Sequence, residues 1–425
     1  MAQKAIREYY GKKLLFSQLP MLMDDFKQSY EGLLIDSQII PSLSNWPDFE
    51  SGYVVKPDEL FGKRGKNGLV FINKDKKAVL DWIRKKSNGK TTIKQNEREL
   101  KGKLRYFLIE PFVEHDNEYY LSMNTTRETD TIRFSAKGGV EVEENWKDVI
   151  DINIPFVYKQ VSINKELEKN LSKKLPDAHR TQIIRFISAV YEIFKNFDFT
   201  YLEINPFVIN ENEVSILDLV ARIDSTSVYK NRQLYHEIGE PEFPAPFGGE
   251  ISSTESKIEQ LDESSGASLK YRLINPEGKV WFLTSGGGGS VIFADTVGDL
   301  GYHSEIANYT DYSGNPNTDE TQEFCEIIFS DMFKSKRKDK VLIVGGGIAN
   351  FTDIAKTFTG VARAIEKHHK QFIDQKIKIF VRRGGPNYKR GLEFMQTIAD
   401  KYQIPISVHG PEMYMTEVVK TALEN

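Results

Sequence analysis

The chain has 425 residues, too many for one hydrophobic core, so two or three domains are expected. Its 57 basic and 61 acidic residues leave a net charge of −4, which gives no electrostatic reason for nucleic acid or an anionic membrane as partner. One cysteine, Cys325, excludes an internal disulfide, no Cys/His group has zinc-ligand spacing, and no apolar run approaches membrane-spanning length. The opening MAQKAIREYYGKKLLF is charged throughout and lacks the apolar centre of a signal peptide, so the cytoplasm is the expected compartment.

Up to about residue 105, short apolar runs such as GYVVKP and NGLVFIN alternate with charged helical stretches such as KAVLDWIRKK. A second α/β section follows, with strands expected at YFLIEPFV, TIRFSA and VSILDLV. Its helix, DAHRTQIIRFISAVYEIFKNF, carries Ile183, Ile184, Ile187, Val190, Tyr191 and Phe194 at helical spacing. GEPEFPAPFGGE gathers prolines and glycines and reads as a linker or extended arm. From about residue 270 four units repeat the order apolar strand, turn, helix: KVWFL–TSGGGGS–VIFADTVGDL, KVLIV–GGGIAN–FTDIAKTFTGVARAIE, IKIFV–RRGGPN–YKRGLEFMQTIADKY and PISVHG–PEMYMTEVVKTALE. That alternation predicts a doubly wound parallel sheet with ligands at the carboxyl ends of its strands.

The glycine turns do not fit a dinucleotide site. GGGIAN has Asn350, and GGGGSV has Val291, where the third glycine of G-x-G-x-x-G belongs, and no Walker A sequence is present. Gly286, Gly287, Gly288, Gly289 and Ser290, ahead of a helix expected to start near Val291, still offer backbone N–H groups to an anion. For any one such loop tight strand-to-helix packing is an equal alternative, but three on one sheet edge favour a ligand. The third adds Arg382 and Arg383. Neighbouring strand residues face opposite sides, so one arginine is expected at the ligand and the other as a solvated or interface charge. With Ser313, Gly314, Asn350 and Thr352 as neutral donors, the set suits a small polycarboxylate.

Earlier in the chain, Lys56 sits inside an apolar strand, and FGKRGKNG spaces Gly62, Gly65 and Gly68 around Lys63, Arg64 and Lys66. This suits a mobile cationic flap over a polyphosphate, although taken alone the stretch reads first as a charged surface turn. Glu203, Asn205 and Asp218 offer oxygen ligands of the kind Mg²⁺ takes beside nucleotide phosphates, with a structural salt bridge as the alternative.

Together VVKPDELFGKRGKNGLV, FLIEPFV, TYLEINPFV, LDLVARID, SGASLKY, GGGGSVIFADTVGDLG, ANYTDYSG, GGGIANFTD and FVRRGGPNY closely resemble the citryl-CoA synthetase region of the ATP-citrate lyase family. The chain is more distantly similar to the succinyl-CoA synthetase beta subunit. The resemblance implies an ATP-grasp domain over 1–245, in lobes of about 1–105 and 106–245, a linker over 246–270, and a flavodoxin-like citrate-binding domain over 271–425. It puts Lys56, Arg64, Gly65, Pro111, Val113, Glu118 and Asp218 on ATP, with Glu110 at the adenine hinge. Asn205 and Asp218 fall on Mg²⁺ positions, and Asp262, Ser265 and Ala267, otherwise a plain turn, on a second metal-contacting segment. Ser313, Gly314, Asn350, Thr352 and Arg383 fall on citrate positions, while His368 stands where some relatives have a tyrosine.

In this family ATP phosphorylates a histidine in a Gly-His-Ala-Gly setting, the phosphoryl passes to citrate, and CoA displaces phosphate to give citryl-CoA, which a lyase domain cleaves to acetyl-CoA and oxaloacetate. None of the seven histidines here has those neighbours. The resemblance therefore implies a hetero-oligomer whose larger partner brings the phosphohistidine, the CoA site and the lyase domain, serving biosynthesis or a reductive citrate cycle. A stand-alone citryl-CoA synthetase, another acyl-CoA synthetase and a non-catalytic sensor are the alternatives.

Overall fold

The computed structural model describes residues 3–95, 98–139, 142, 146–156, 163–172, 175, 179–210, 213–249 and 252–424. The chain divides into two compact units, 1–250 and 251–425.

The first unit opens with β1 (Gln3–Ile6), α1 (Glu8–Leu22), β2 (Leu33–Asp36), β3 (Tyr53–Pro57), β4 (Phe71–Asn73), α2 (Lys76–Ser87) and the hairpin β5 (Thr91–Gln95) and β6 (Arg98–Gly102). It continues with β7 (Tyr106–Pro111), β8 (Tyr119–Thr125), β9 (Thr129–Ser135), β10 (Ile150–Pro155), α3 (Ile163–Leu171) and α4 (Arg180–Asn196). β11 (Phe199–Asn210), β12 (Glu213–Ile216), β13 (Leu219–Asp224), α5 (Thr226–Lys230) and α6 (Arg232–Ile238) complete it.

Beside the β5–β6 hairpin, two larger antiparallel sheets result. One has the order β1-β13-β11-β8-β9-β10 with β12 added on β11; the other runs β2-β7-β3-β4. This pairing crosses the lobe boundary expected near 105, because β1 joins the later sheet and β7 the earlier one. The apolar stripe of α4 packs as its spacing predicts: Ile183, Ile184, Ile187, Val190 and Phe194 are buried. Tyr191 is only partly covered, and its hydroxyl donates to Asp130 Oδ2 at 2.9 Å. Asp177 and Ala178, at the expected start of that helix, lie outside the described residues.

The expected single strand VSILDLV is two strands, with a break at Leu217–Asp218. The Leu217 carbonyl turns out of the ladder and accepts from two lysine ammoniums, Lys12 (3.0 Å) and Lys56 (2.6 Å). The strand pattern is interrupted because charges, not a neighbouring strand, take that carbonyl.

The second unit holds α7 (Ser253–Ser264), β14 (Ser268–Leu273), β15 (Val280–Ser285), α8 (Gly287–Val297), β16 (Asn308–Ser313) and α9 (Thr318–Lys334). β17 (Val341–Ile348), α10 (Ile354–Lys367), α11 (His369–Asp374), β18 (Lys378–Gly384), α12 (Tyr388–Tyr402), β19 (Ile406–His409) and α13 (Met415–Glu424) follow. β15-β17-β18-β19 form the parallel sheet that the four repeats predict.

Two features depart from expectation. The segment 253–264 is a helix rather than linker, started by a capping box between Ser252 and Glu255. ANYTDYSG contains a strand, β16, antiparallel to β14. Side chains join it to β15: the buried Asn308 accepts from Phe282 N–H (2.7 Å) and donates to the Phe282 carbonyl (3.0 Å). Thr310 Oγ1 accepts from Thr284 N–H at 2.9 Å.

Candidate functional site

In the first unit the site grows from α1. Arg7, at its N-cap position, supplies no capping side chain. Asp58, just beyond β3, takes that role: its carboxylate accepts the N–H groups of Glu8 (2.8 Å) and Tyr9 (3.1 Å). This places Glu8 and Lys12, one turn apart, facing inward with fully buried side chains 2.8 Å from each other.

Glu8 is the hub of a charge cluster. Its Oε1 accepts from Lys56 Nζ at 2.7 Å, and its Oε2 from Arg64 Nη1 at 2.7 Å. Lys12 Nζ donates to both oxygens of Glu110, at 2.7 and 2.8 Å. Arg64 Nη1 also donates to Asp218 Oδ1 at 2.6 Å, and Lys56 Nζ lies 3.5 Å from both Glu110 and Asp218. Three cations thus face three carboxylates, which is what lets ions sit in a desolvated interior.

Burial pushes the Glu8 carboxyl up, but Lys12, Lys56 and Arg64 outweigh it and hold it far below the usual carboxylate range. Burial pulls Lys56 down, and Asp218, Glu8 and Glu110 override that and raise it. Asp218 is raised by loss of water and by the Glu8 charge. Asp58 is raised by burial and by Glu8 to about 6.

Lys56, Arg64, Gly65, Glu110, Pro111, Val113, Glu118, Asn205 and Asp218 all line one cavity of about 1060 Å³, together with Lys63, Lys66 and Glu203. Arg64 is buried, so FGKRGKNG is not a plain surface turn. The Glu110 carboxylate belongs to the cation cluster, where it also accepts from Tyr30 Oη at 3.1 Å. Glu118 Oε1 lies 3.1 Å from His115 Nε2, and its carboxylate fills the space a Cβ would take at Gly139, where φ is +63°. Gly139 N–H donates to Asn205 Oδ1 at 2.6 Å, and Asn205 N–H to the Asp218 carbonyl at 3.1 Å, so Asn205 on β11 and Asp218 at the break are neighbours. Glu203 accepts from Tyr201 Oη.

In the second unit the candidate residues gather at the carboxyl edge of the parallel sheet. The helix begins earlier than expected: Gly286 is its N-cap with φ +88°, and Gly287, Gly288 and Gly289 form its first turn, whose N–H groups have no helical acceptor. The Gly286 N–H itself is taken by Asp311 Oδ1 at 2.8 Å. Ser290 is buried under that turn.

Arg382 corrects an expectation. It is buried, not solvated, and donates to the carbonyls of Met413 (2.8 Å), Gly346 (2.9 Å) and Pro411 (3.3 Å). Arg383 is buried as well: Nη1 donates to the Gly347 carbonyl (3.2 Å) and Nη2 to Ser285 Oγ (3.0 Å), while Nε has no partner among the described residues. Burial lowers the pKa of both guanidiniums.

Asp353 ties the surrounding loops together. Its N–H donates to Asn315 Oδ1 at 3.3 Å, and its Oδ2 accepts from Asn387 Nδ2 at 2.8 Å. This brings the Ser313–Gly314 turn, the Asn350–Thr352 loop and the turn after Arg383 to one place. Asn350 is exposed there and Thr352 buried.

Asp262, Ser265 and Ala267 belong to the second unit and Asn205 and Asp218 to the first. The Asp262 carboxylate closes the turn into β14, accepting from Leu269 N–H (2.6 Å) and Lys270 Nζ (2.5 Å), and Ser265 Oγ accepts from Ala267 N–H at 3.2 Å. Ala267 packs on Gly314. His368 stands at the C-terminal end of α10, whose other end follows Thr352, and its ring lies on Phe333 at 5.7 Å. Burial lowers its pKa. Among the described residues no group of three His, Cys, Asp or Glu could hold a metal by itself, and no helix is long and apolar enough to cross a membrane.

Sequence reasoning missed Glu8, Lys12, Asp58, Asp311 and Asp353. A signal was available for one pair: Glu8 and Lys12 are at i,i+4 on a helix, the spacing at which side chains meet.

An antiparallel unit with a cavity lined by Lys and Arg side chains, joined in one chain to a parallel α/β unit with glycine-rich turns along its carboxyl edge, defines the class: an ATP-grasp unit followed by a CoA-ligase-like one. Residues 2–235 match the ATP-citrate synthase ATP-grasp domain family, and residues 249–425 the ATP citrate lyase citrate-binding family. The chain is 40% identical over 427 residues to ATP-citrate synthase alpha chain protein 3 of Arabidopsis thaliana, covering 100% of this chain and 98% of that one. It is 39% identical to ATP-citrate synthase of Mus musculus, covering 100% of this chain but 38% of the mouse protein. The structure of ATP citrate lyase from Methanothrix soehngenii in complex with citrate and coenzyme A is similar with a TM-score of 0.88 and 39% identity, over 100% of both chains. The chain belongs to the ATP-citrate synthase (ATP-citrate lyase) family. It is an enzyme subunit with that family's ATP-grasp and citrate-binding regions; the ATP-grasp domain implies ATP, and relatives that are alpha chains imply a partner subunit.

Proposed function

We propose that this subunit binds ATP in the first unit and citrate in the second, and works with a partner subunit that carries the phosphorylated histidine, the CoA site and the cleaving domain. What supports the nucleotide half is that all nine candidate residues of the first unit line one cavity. Lys56 and Arg64 neutralise the phosphates, and the backbone around Glu110, Pro111 and Val113 faces the base. Asn205 and Asp218 fit a hard divalent cation: one amide oxygen on β11 and one carboxylate at the break before β13 meet at the cavity wall. Mg²⁺ held there would neutralise phosphate charge during transfer.

The citrate half rests on the donors gathered at the sheet edge. Ser313, Gly314, Asn350 and Thr352 supply neutral contacts, and Arg383, at the end of β18, orients one carboxylate. The first-turn N–H groups of Gly287, Gly288 and Gly289 aim positive dipole at the carboxylate as it accepts the phosphoryl group, a preorganised donor set. Length supports the partner: the Arabidopsis alpha chain is matched over 98% of its sequence and the mouse protein over 38%, as expected if the functions of the rest of the mouse protein are brought by a second chain.

The complex purified with its partner tests the reading. Asp218→Ala and Arg64→Ala should each lower ATP-dependent citryl-CoA formation by about 10²-fold or more. Wild-type rates in both variants would refute it.

A further inference from the structure

We propose that Arg64 masks Asp218 until nucleotide arrives, so that divalent-cation binding by this chain is conditional on nucleotide, with Glu8 as the positioning residue that holds Arg64 through the exchange. The inference rests on the nucleotide-site reading above.

The geometry carries it. One guanidinium nitrogen, Arg64 Nη1, is shared between Glu8 Oε2 at 2.7 Å and Asp218 Oδ1 at 2.6 Å. These two carboxylates differ in access. The Glu8 side chain is 0% exposed, while that of Asp218 is 37% exposed and lines the cavity. A polyphosphate in the cavity meets Arg64 and Asp218 and does not reach Glu8. Its charge attracts the guanidinium and repels the Asp218 carboxylate. Arg64 therefore trades its outer partner for phosphate and keeps its inner one. Glu8 does not release it, being fixed by Lys12 at 2.8 Å and Lys56 at 2.7 Å.

Without nucleotide, Asp218 faces Arg64 at 2.6 Å and Lys56 at 3.5 Å. A divalent cation approaching it meets two positive charges first. After the exchange, Asp218 has lost its nearest cation and keeps only Lys56 at 3.5 Å and the Leu219 N–H at 3.0 Å, so a divalent cation can reach it beside Asn205, with the phosphates supplying further oxygens. The two ligands are then coupled through one ion pair, each favouring the other by the same factor.

The test uses the full-length chain, Mn²⁺ as probe and equilibrium dialysis, with and without ADP. Wild type should bind Mn²⁺ at this site at least about tenfold more weakly without ADP than with it, the scale of one close charge at a half-exposed position. Arg64→Ala should bind ADP more weakly and yet bind Mn²⁺ without nucleotide about tenfold more tightly than wild type does. That gain should vanish in Arg64→Ala/Asp218→Asn, which separates it from adventitious surface acids. Should Arg64→Ala fail to fold, Arg64→Gln carries the same expectation. Equal Mn²⁺ binding with and without ADP, or no gain in the arginine variants while wild type binds ADP, overturns the exchange and leaves the nucleotide site standing. Wild type that binds no ADP or ATP overturns both.

Discussion

The two candidate sites are built from different materials. In the first unit, charge balances charge: Glu8, Glu110 and Asp218 face Lys12, Lys56 and Arg64 through ion pairs of 2.6 to 3.5 Å. In the second unit the charged groups are met by backbone. Arg382 and Arg383 donate to carbonyls, Asp311 accepts a backbone N–H, and a glycine turn offers helix N–H groups. A side-chain network can exchange partners when a ligand enters, whereas a backbone edge cannot move without unfolding its sheet. The first suits a nucleotide that is bound, used and released; the second suits a substrate that has to be held in one orientation.

Breaking the ionic side should have the largest effect. Glu8→Ala leaves three buried cations short of a carboxylate and should cost about 3–5 kcal/mol in urea unfolding. The backbone side breaks through glycine. A Cβ on Gly346 would stand 2.1 Å from Arg383 Nη1 and 2.3 Å from the Ser285 carbonyl, so Gly346→Ala should cost about 3 kcal/mol and lower citrate affinity, measured by calorimetry.

Asp58 sharpens the comparison through pH. Its folded pKa of about 6 exceeds the ordinary aspartate value, so the folded state holds its proton longer than the unfolded one. This contribution is complete below about pH 4 and is lost as pH rises to about 6. Relative to Asp58→Asn, wild type should lose about 2 kcal/mol across that window in denaturant titrations at fixed pH. The smallest effect is a gain: Gly288 lies in the first turn of α8 with nothing within 4 Å of a Cβ, so Gly288→Ala should raise stability by about 0.5–1 kcal/mol.

The same contrast governs what was legible beforehand. The parallel sheet could be read because four apolar strands are each punctuated by glycine or proline, and glycine is needed where backbone approaches backbone, as at Gly346. The ionic cluster could not. Glu8 and Lys12 stand in a stretch rich in charge, where a solvated helix face is the ordinary reading, and only the pairing of β1 with β13 turns that face inward. The break at Leu217–Asp218 was hidden for a related reason: its cause is two lysines, 161 and 205 residues away in the chain. α7 was obscured by the proline–glycine run just before it, although Ser252 and Glu255 carry the capping-box pattern. Arg382 looked solvated because strand alternation says which side a residue faces, and not whether loops close over it.

The central claim, a polycarboxylate site at the sheet edge of the second unit, is tested most directly by calorimetric titration of the full chain with citrate and, separately, succinate, on wild type and Arg383→Ala. The account predicts citrate binding that succinate does not reproduce and that Arg383→Ala abolishes. Equal binding of the two acids, or citrate binding indifferent to Arg383→Ala in a folded variant, would contradict it.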